Sequence, residues 1–98
     1  MKKTILFPQM QRKMEIMGEN IKLARLRRKY TKKQVAERAG ITIRTLSNIE
    51  NGASHISIGI YTQVLRVLGL DGDIYKIAEN DMLGRKLQDI ELLKKEDN

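Results

Sequence analysis

The chain has 98 residues, 41% of them apolar and 32% charged, with one histidine and no cysteine. That length suits one small domain rather than a multi-domain enzyme with an interdomain cleft, and the composition excludes disulfides, thiolate zinc sites and cysteine nucleophiles. The formal net charge of +7 is unevenly spread: residues 1–66 carry fourteen Lys and Arg against four acids, Glu15, Glu19, Glu37 and Glu50, whereas residues 67–98 carry five against eight.

No apolar run approaches the ~18–20 residues that a bilayer span requires. The opening Met1, Lys2, Lys3 is followed by Thr4, Ile5, Leu6 and Phe7, too short an apolar stretch for a signal peptide, and no small-residue cleavage site follows. A cytoplasmic location is expected. A domain this small buries only about 60–65% of the surface its unfolded chain exposes, and homo-oligomerisation is the staple left to it.

From about Met10 onward, apolar residues recur at spacings of three and four, so the fold class expected is all-α. Pro8 suits the first turn of a helix, where its missing amide would have no partner anyway. Met10, Met14, Met17 and Ile21 then form one stripe that continues through Ala24 and Leu26, and Gly18 favours a restart of the helix near that point. Thr31 with Gln34 has capping-box spacing for a helix over residues 32–39, ended by Gly40. Thr42 caps a second short helix over residues 43–50, which Asn51 and Gly52 terminate. Ser57 caps a helix with Tyr61, Val64, Leu65 and Leu68 inward, ended by Gly69. Asp71 or Asp73 caps a further short one with Ile74, Ile77 and Ala78. A last amphipathic helix has Leu83, Leu87, Ile90 and Leu93 or Lys94 on one side and frays from Lys94. The division expected is an arm and possible dimerisation segment over 1–17, a domain over 18–80 and a helical tail over 81–98.

Two features bear on function. Between residues 21 and 33, Lys22, Arg25, Arg27, Arg28, Lys29, Lys32 and Lys33 occur without one acid, a cluster suited to nucleic acid or an anionic membrane surface. Over residues 32–51, two short helices flank a glycine corner. Ala36 is the small residue where the backbones approach, and Val35, Ala39, Ile41, Leu46 and Ile49 are the inward positions. Such a pair holds its second helix proud of the domain, where it can enter a major groove about 12 Å wide.

The stretch of residues 31–52, TKKQVAERAGITIRTLSNIENG, resembles the helix-turn-helix of Cro/C1-type (XRE) repressors. Over about residues 18–70 the resemblance implies a five-helix, lambda-repressor-like fold that binds double-stranded operator DNA as a homodimer in a bacterial cytoplasm, in association with the nucleoid. Within that family, residues 18–28 (GENIKLARLRR), 57–61 (SIGIY) and 83–89 (LGRKLQD) are most similar to HipB-type antitoxins. Those proteins neutralise a HipA-type serine/threonine kinase toxin and repress their shared operon. The same residues also fit a stand-alone phage or host repressor, or a protein-interaction module that binds no DNA.

On this pattern the base-reading candidates are Ile43, Arg44, Ser47 and Asn48. Arg44 can donate a bidentate pair to guanine, Asn48 can pair with adenine and Ile43 can meet a thymine methyl. The family often has glutamine where Ile43 and Arg44 stand, so operator sequence does not carry over, and a phosphate contact is the alternative for Arg44. Phosphate candidates are Arg28, Lys29, Lys32, Lys33, Thr42, Thr45 and Asn51. Glu50 reads as a structural residue at a helix end, and His55 as a solvent-exposed loop residue. Two routes to a dimer are open: helix surfaces beyond Ser57 including Tyr75 and Ile77, or pairing of residues 4–7 as a short strand. No convergent acid, base or nucleophile and no phosphate-binding glycine loop is present, so neither an enzyme nor a cofactor is expected.

Overall fold

In the computed structural model, which describes residues 5–85 and 89–97, Pro8 opens a helix whose backbone is already set by the fixed proline φ. This helix, α1 (Pro8–Arg27), is followed by α2 (Lys32–Ala39), α3 (Ile43–Glu50), α4 (Ile58–Leu68), a 3-10 helix (Asp71–Lys76), α5 (Met82–Arg85) and α6 (Asp89–Asp97). The fold is all-helical, with no strand among the described residues. Residues 5–7 lie in no regular element. Lys2, Lys3 and Thr4, and with them part of the expected strand, lie outside the described residues, as does Leu87 of the expected last helix. Among the described residues no helix is long and apolar enough to cross a membrane.

Helix ends follow local chemistry. Thr31 Oγ1 accepts from Gln34 N at 3.1 Å while Thr31 N donates to Gln34 Oε1 at 2.9 Å, a complete capping box. Thr42 and Ser57 cap α3 and α4 in the same way, each hydroxyl oxygen accepting from the amide three residues on. Gly40 adopts φ 72° at the end of α2; a left-handed residue there lets Ile41 N donate back to Ala36 O at 2.9 Å. The corner between α2 and α3 is thus built by hydrogen bonds rather than by mere slack.

One buried cluster joins α1 to α4. Val35, Leu46, Ile49 and Val64 are fully buried, with Ile21, Ala24, Ala36, Ala39, Tyr61 and Leu68 around them. Each aliphatic side chain buried in this way contributes roughly 1.5–3 kcal/mol, which an eight-residue helix needs, because alone it would not persist in water.

Several expectations are corrected. The helix does not restart at Gly18: α1 runs unbroken for 20 residues, and Gly18 lies against the end of α3. A Cβ there would stand 2.5 Å from Ile49 O and 2.7 Å from Glu50 O, so the glycine permits helix-to-helix contact rather than a break. Leu26 is 49% exposed instead of continuing the inward stripe. The segment after Gly69 is a 3-10 helix preceded by Leu70 with no side-chain cap, so neither Asp71 nor Asp73 caps it. The last helix continues past Lys94 to Asp97.

Candidate nucleic-acid interface

The orientation of α3 is fixed from beneath and at both ends. Leu46 and Ile49 point into the core with no exposed surface, which turns Ile43, Arg44, Ser47 and Asn48 outward by the 3.6-residue period. Ile43 is 48% exposed, Arg44 is exposed, and Ser47 and Asn48 are half-buried.

At the C-terminal end of α3 lies a buried ion pair. Arg25 Nε donates to Glu50 Oε2 at 2.8 Å and its Nη2 donates to Oε1 at 3.1 Å, while Nη1 donates to Tyr30 O at 2.9 Å. The planar guanidinium therefore meets the carboxylate with two parallel bonds and spends a third on backbone. Every buried side-chain nitrogen and oxygen among the described residues has a partner, the condition under which such a pair is tolerated in a core. Arg25 thus leaves the basic run and becomes a positioning residue, locking α1 to the end of α3. Its inward register, four residues after Ile21 and seven after Gly18, was the available signal; reading the run as one charged surface concealed it. Glu50 is structural, as its place at a helix end indicated.

Gly52 makes the second lock. Its φ is 83° and a Cβ would stand 2.7 Å from Glu15 Cα, while Gln11 Nε2 donates to Gly52 O at 2.9 Å. The loop after α3 is held against the first half of α1. Below α2, Gln63 Nε2 donates to Ala39 O at 2.6 Å, tying α4 to the corner.

The phosphate candidates fall into four places. Lys32 Nζ donates to Ser47 Oγ at 3.1 Å, joining the N-terminal end of α2 to the outward face of α3, with Lys33 exposed beside it. Thr42 and Thr45 share a hydroxyl–hydroxyl bond of 2.9 Å; one O–H is consumed in it and the other is left to donate outward. Arg28 and Lys29 form the turn after α1. Arg28 Nη1 donates to Ala24 O at 2.8 Å, closing its own helix end, so part of its guanidinium is turned away from any ligand. Lys29 is exposed in a left-handed conformation at φ 58°, the site where α2, α3 and α4 have glycine. Asn51 is exposed at the C-terminal end of α3, one turn past Ser47, whose O accepts from Asn51 N at 3.0 Å, and His55 is exposed in the next loop.

Helix N-termini with free amides, ammonium groups beside them and a projecting amide- and guanidinium-bearing helix form a surface that binds phosphate and presents donors to base edges. A helix-turn-helix family model matches residues 21–75, spanning the end of α1 through most of the 3-10 helix. No curated protein and no solved structure matches the chain. The match covers more than half of the chain and contains α2, α3 and their corner. This chain belongs to the helix-turn-helix family of the Cro/C1 (XRE) type, a family of DNA-binding regulators.

Proposed function

We infer that the protein is a transcriptional repressor that binds operator DNA as a homodimer, with α3 in the major groove of each half-site. Ile43, Arg44, Ser47 and Asn48 read bases. Arg28, Lys29, Lys32, Lys33, Thr42, Thr45 and Asn51 hold phosphates. The observation that supports this reading is the geometry of α3: Leu46 and Ile49 are wholly buried and Glu50 is ion-paired, which leaves the side bearing Arg44 and Asn48 facing outward. Lys32 bonded to Ser47 brings a phosphate ligand and a base reader within one hydrogen bond of each other, the arrangement by which backbone contacts set the register of base contacts.

Selection from a random duplex pool tests this directly. Two half-sites about 34 Å apart are expected; recovery of no consensus overturns it. Arg44→Ala should reduce the ratio of specific to random binding, while Lys32→Ala should lower both together.

The finer role inferred is that of antitoxin to a HipA-type kinase. It is favoured by the similarity of residues 18–28, 57–61 and 83–89 to HipB-type proteins and by a C-terminal segment whose Met82, Leu83, Leu92 and Leu93 are all more than half exposed. Purified kinase from the adjacent reading frame should lose activity when the chain is added, and unaltered activity at saturating chain overturns this role.

A further inference from the structure

Away from the α2–α3 face, α1 carries a second organised surface. Phe7, Met10, Met14, Met17 and Ile21 follow one another at alternating steps of three and four, the spacing of a coiled-coil seam. Ile21 is buried and Met14 half-buried against the core, whereas Met17 is 39% exposed, Met10 40% and Phe7 77%. The domain's hold on α1 reaches Gln11, bonded to Gly52, and Phe7 and Met10 overhang it. Beside the middle of the seam a cleft of ≈ 290 Å³ opens, lined by Met14, Met17, Ile58, Leu65, Ile74 and Ile77 among others, with no charged side chain among the described residues lining it. Ile58 and Ile77 are 62% and 61% exposed.

The geometry points to a second copy of this chain as the occupant of that cleft: two α1 helices pack antiparallel about a two-fold axis, Phe7 of each copy seated beside Met17 of the other and Met10 against Met14. The inference deepens the dimeric reading above and rests on it only for the expectation of a two-fold pair. Three arguments select this occupant. Phe7 falls on the same stripe as Met14 and Met17, which line the cleft, so a single two-fold rotation that seats Phe7 beside Met17 engages both clefts at once, which is the condition for an isologous contact. Copies that each carry +7 repel, and they approach most readily where charge is missing. The exposed parts of Phe7, Met10, Met17, Ile58 and Ile77 offer on the order of 500 Å² per copy, matching the ~1,000 Å² in total that a specific interface needs. Arg12, level with the axis, stands on the opposite side of the helix by the 3.6-residue period. The family match starts at residue 21, so Phe7, Met10, Met14 and Met17 precede the part of the fold the family model describes, and none of the residues assigned to DNA lines the cleft.

The test uses the full chain without DNA, by sedimentation equilibrium at micromolar concentration. The unaltered chain should be a dimer, and Phe7→Ser with Met10→Glu should raise its dissociation constant at least a hundredfold while circular dichroism stays that of the folded chain. Because the chain has no cysteine, Phe7→Cys with Met17→Cys tests the register. Phe7 immediately precedes α1 and Met17 lies ten residues further on, so the two positions are ~15 Å apart within one copy and a disulfide can form only between copies. Mild oxidation should give a covalent dimer, whereas Phe7→Cys with Ile16→Cys, on the opposite side of α1, should give none. An unaltered chain that is monomeric, a dimer indifferent to the double substitution, or equal cross-linking by the two cysteine pairs overturns the proposal. A dimer that binds no duplex would instead overturn the DNA reading and leave this interface standing.

Discussion

Two short helices of this chain, α3 and α6, have similar lengths and opposite circumstances. α3 has its apolar side wholly buried by Leu46 and Ile49, its C-terminal carboxylate paired with Arg25, and its N-terminus capped by Thr42. In α6, Leu92 is 51% and Leu93 66% exposed. A helix of this size has little stability of its own, so its orientation is only as definite as the contacts made by its inward side. α3 can present side chains to a ligand in a fixed register, whereas α6 offers apolar surface that a partner would have to order.

Removing the supports of α3 breaks the comparison most severely. Glu50→Ala strands a buried guanidinium and should destabilise the fold by about 3–5 kcal/mol, read as a shift of the urea midpoint, whereas replacing an exposed charge of α6, as in Glu91→Ala, should change it by less than about 0.5 kcal/mol. Equal shifts at the two sites would mean that Arg25 and Glu50 are not paired in solution.

Arg44→Ala acts on the outward side of the same helix. It should cost about 1–3 kcal/mol of discrimination against random duplex while leaving the thermal midpoint within error of the unaltered chain.

Much of this arrangement is legible from nearby residues. Thr31 with Gln34, Thr42, Ser57, Gly40 and Gly69 act within a turn or two of their own positions, and the helices they bound appear where the local pattern places them. The outward set on α3 is legible for the same reason, since Leu46 and Ile49 define the inward side by period alone. What escaped depends on partners distant in sequence. Gly18 looks like a break until the carbonyls of Ile49 and Glu50 are set against it. Arg25 looks like one more surface cation until Glu50, twenty-five residues away, takes up its guanidinium. The end of α1 is also unmarked, because its left-handed position is filled by Lys29 rather than glycine.

That last position gives a subtler handle on the relation between stability and binding. A left-handed non-glycine residue costs roughly 1–2 kcal/mol, so Lys29→Gly should raise the thermal midpoint by a few degrees. If Lys29 also meets a phosphate, the same substitution should weaken binding to all duplexes alike and reduce the salt dependence of log K by about one. A gain in stability with unchanged salt dependence would remove Lys29 from the phosphate set.

The smallest effect expected is on alkaline stability. Burial raises the Tyr61 phenol above its usual pKa of 10.0, and its hydroxyl donates to Ala53 O at 3.2 Å. With the folded value above the unfolded one, the contribution is full below pH 10 and declines as pH rises through the folded pKa. Tyr61→Phe should flatten that decline in a series of urea midpoints above pH 10.

The central claim, that α3 enters the groove, is tested most directly by following backbone amides while the chain is titrated with its selected duplex. The account predicts that the amides of Ile43, Arg44, Ser47 and Asn48, with Lys32 and Lys33, move most, and that those of Leu92 and Leu93 stay in place. Amides of α3 that remain unmoved at saturation, or shifts centred on the tail, would contradict it.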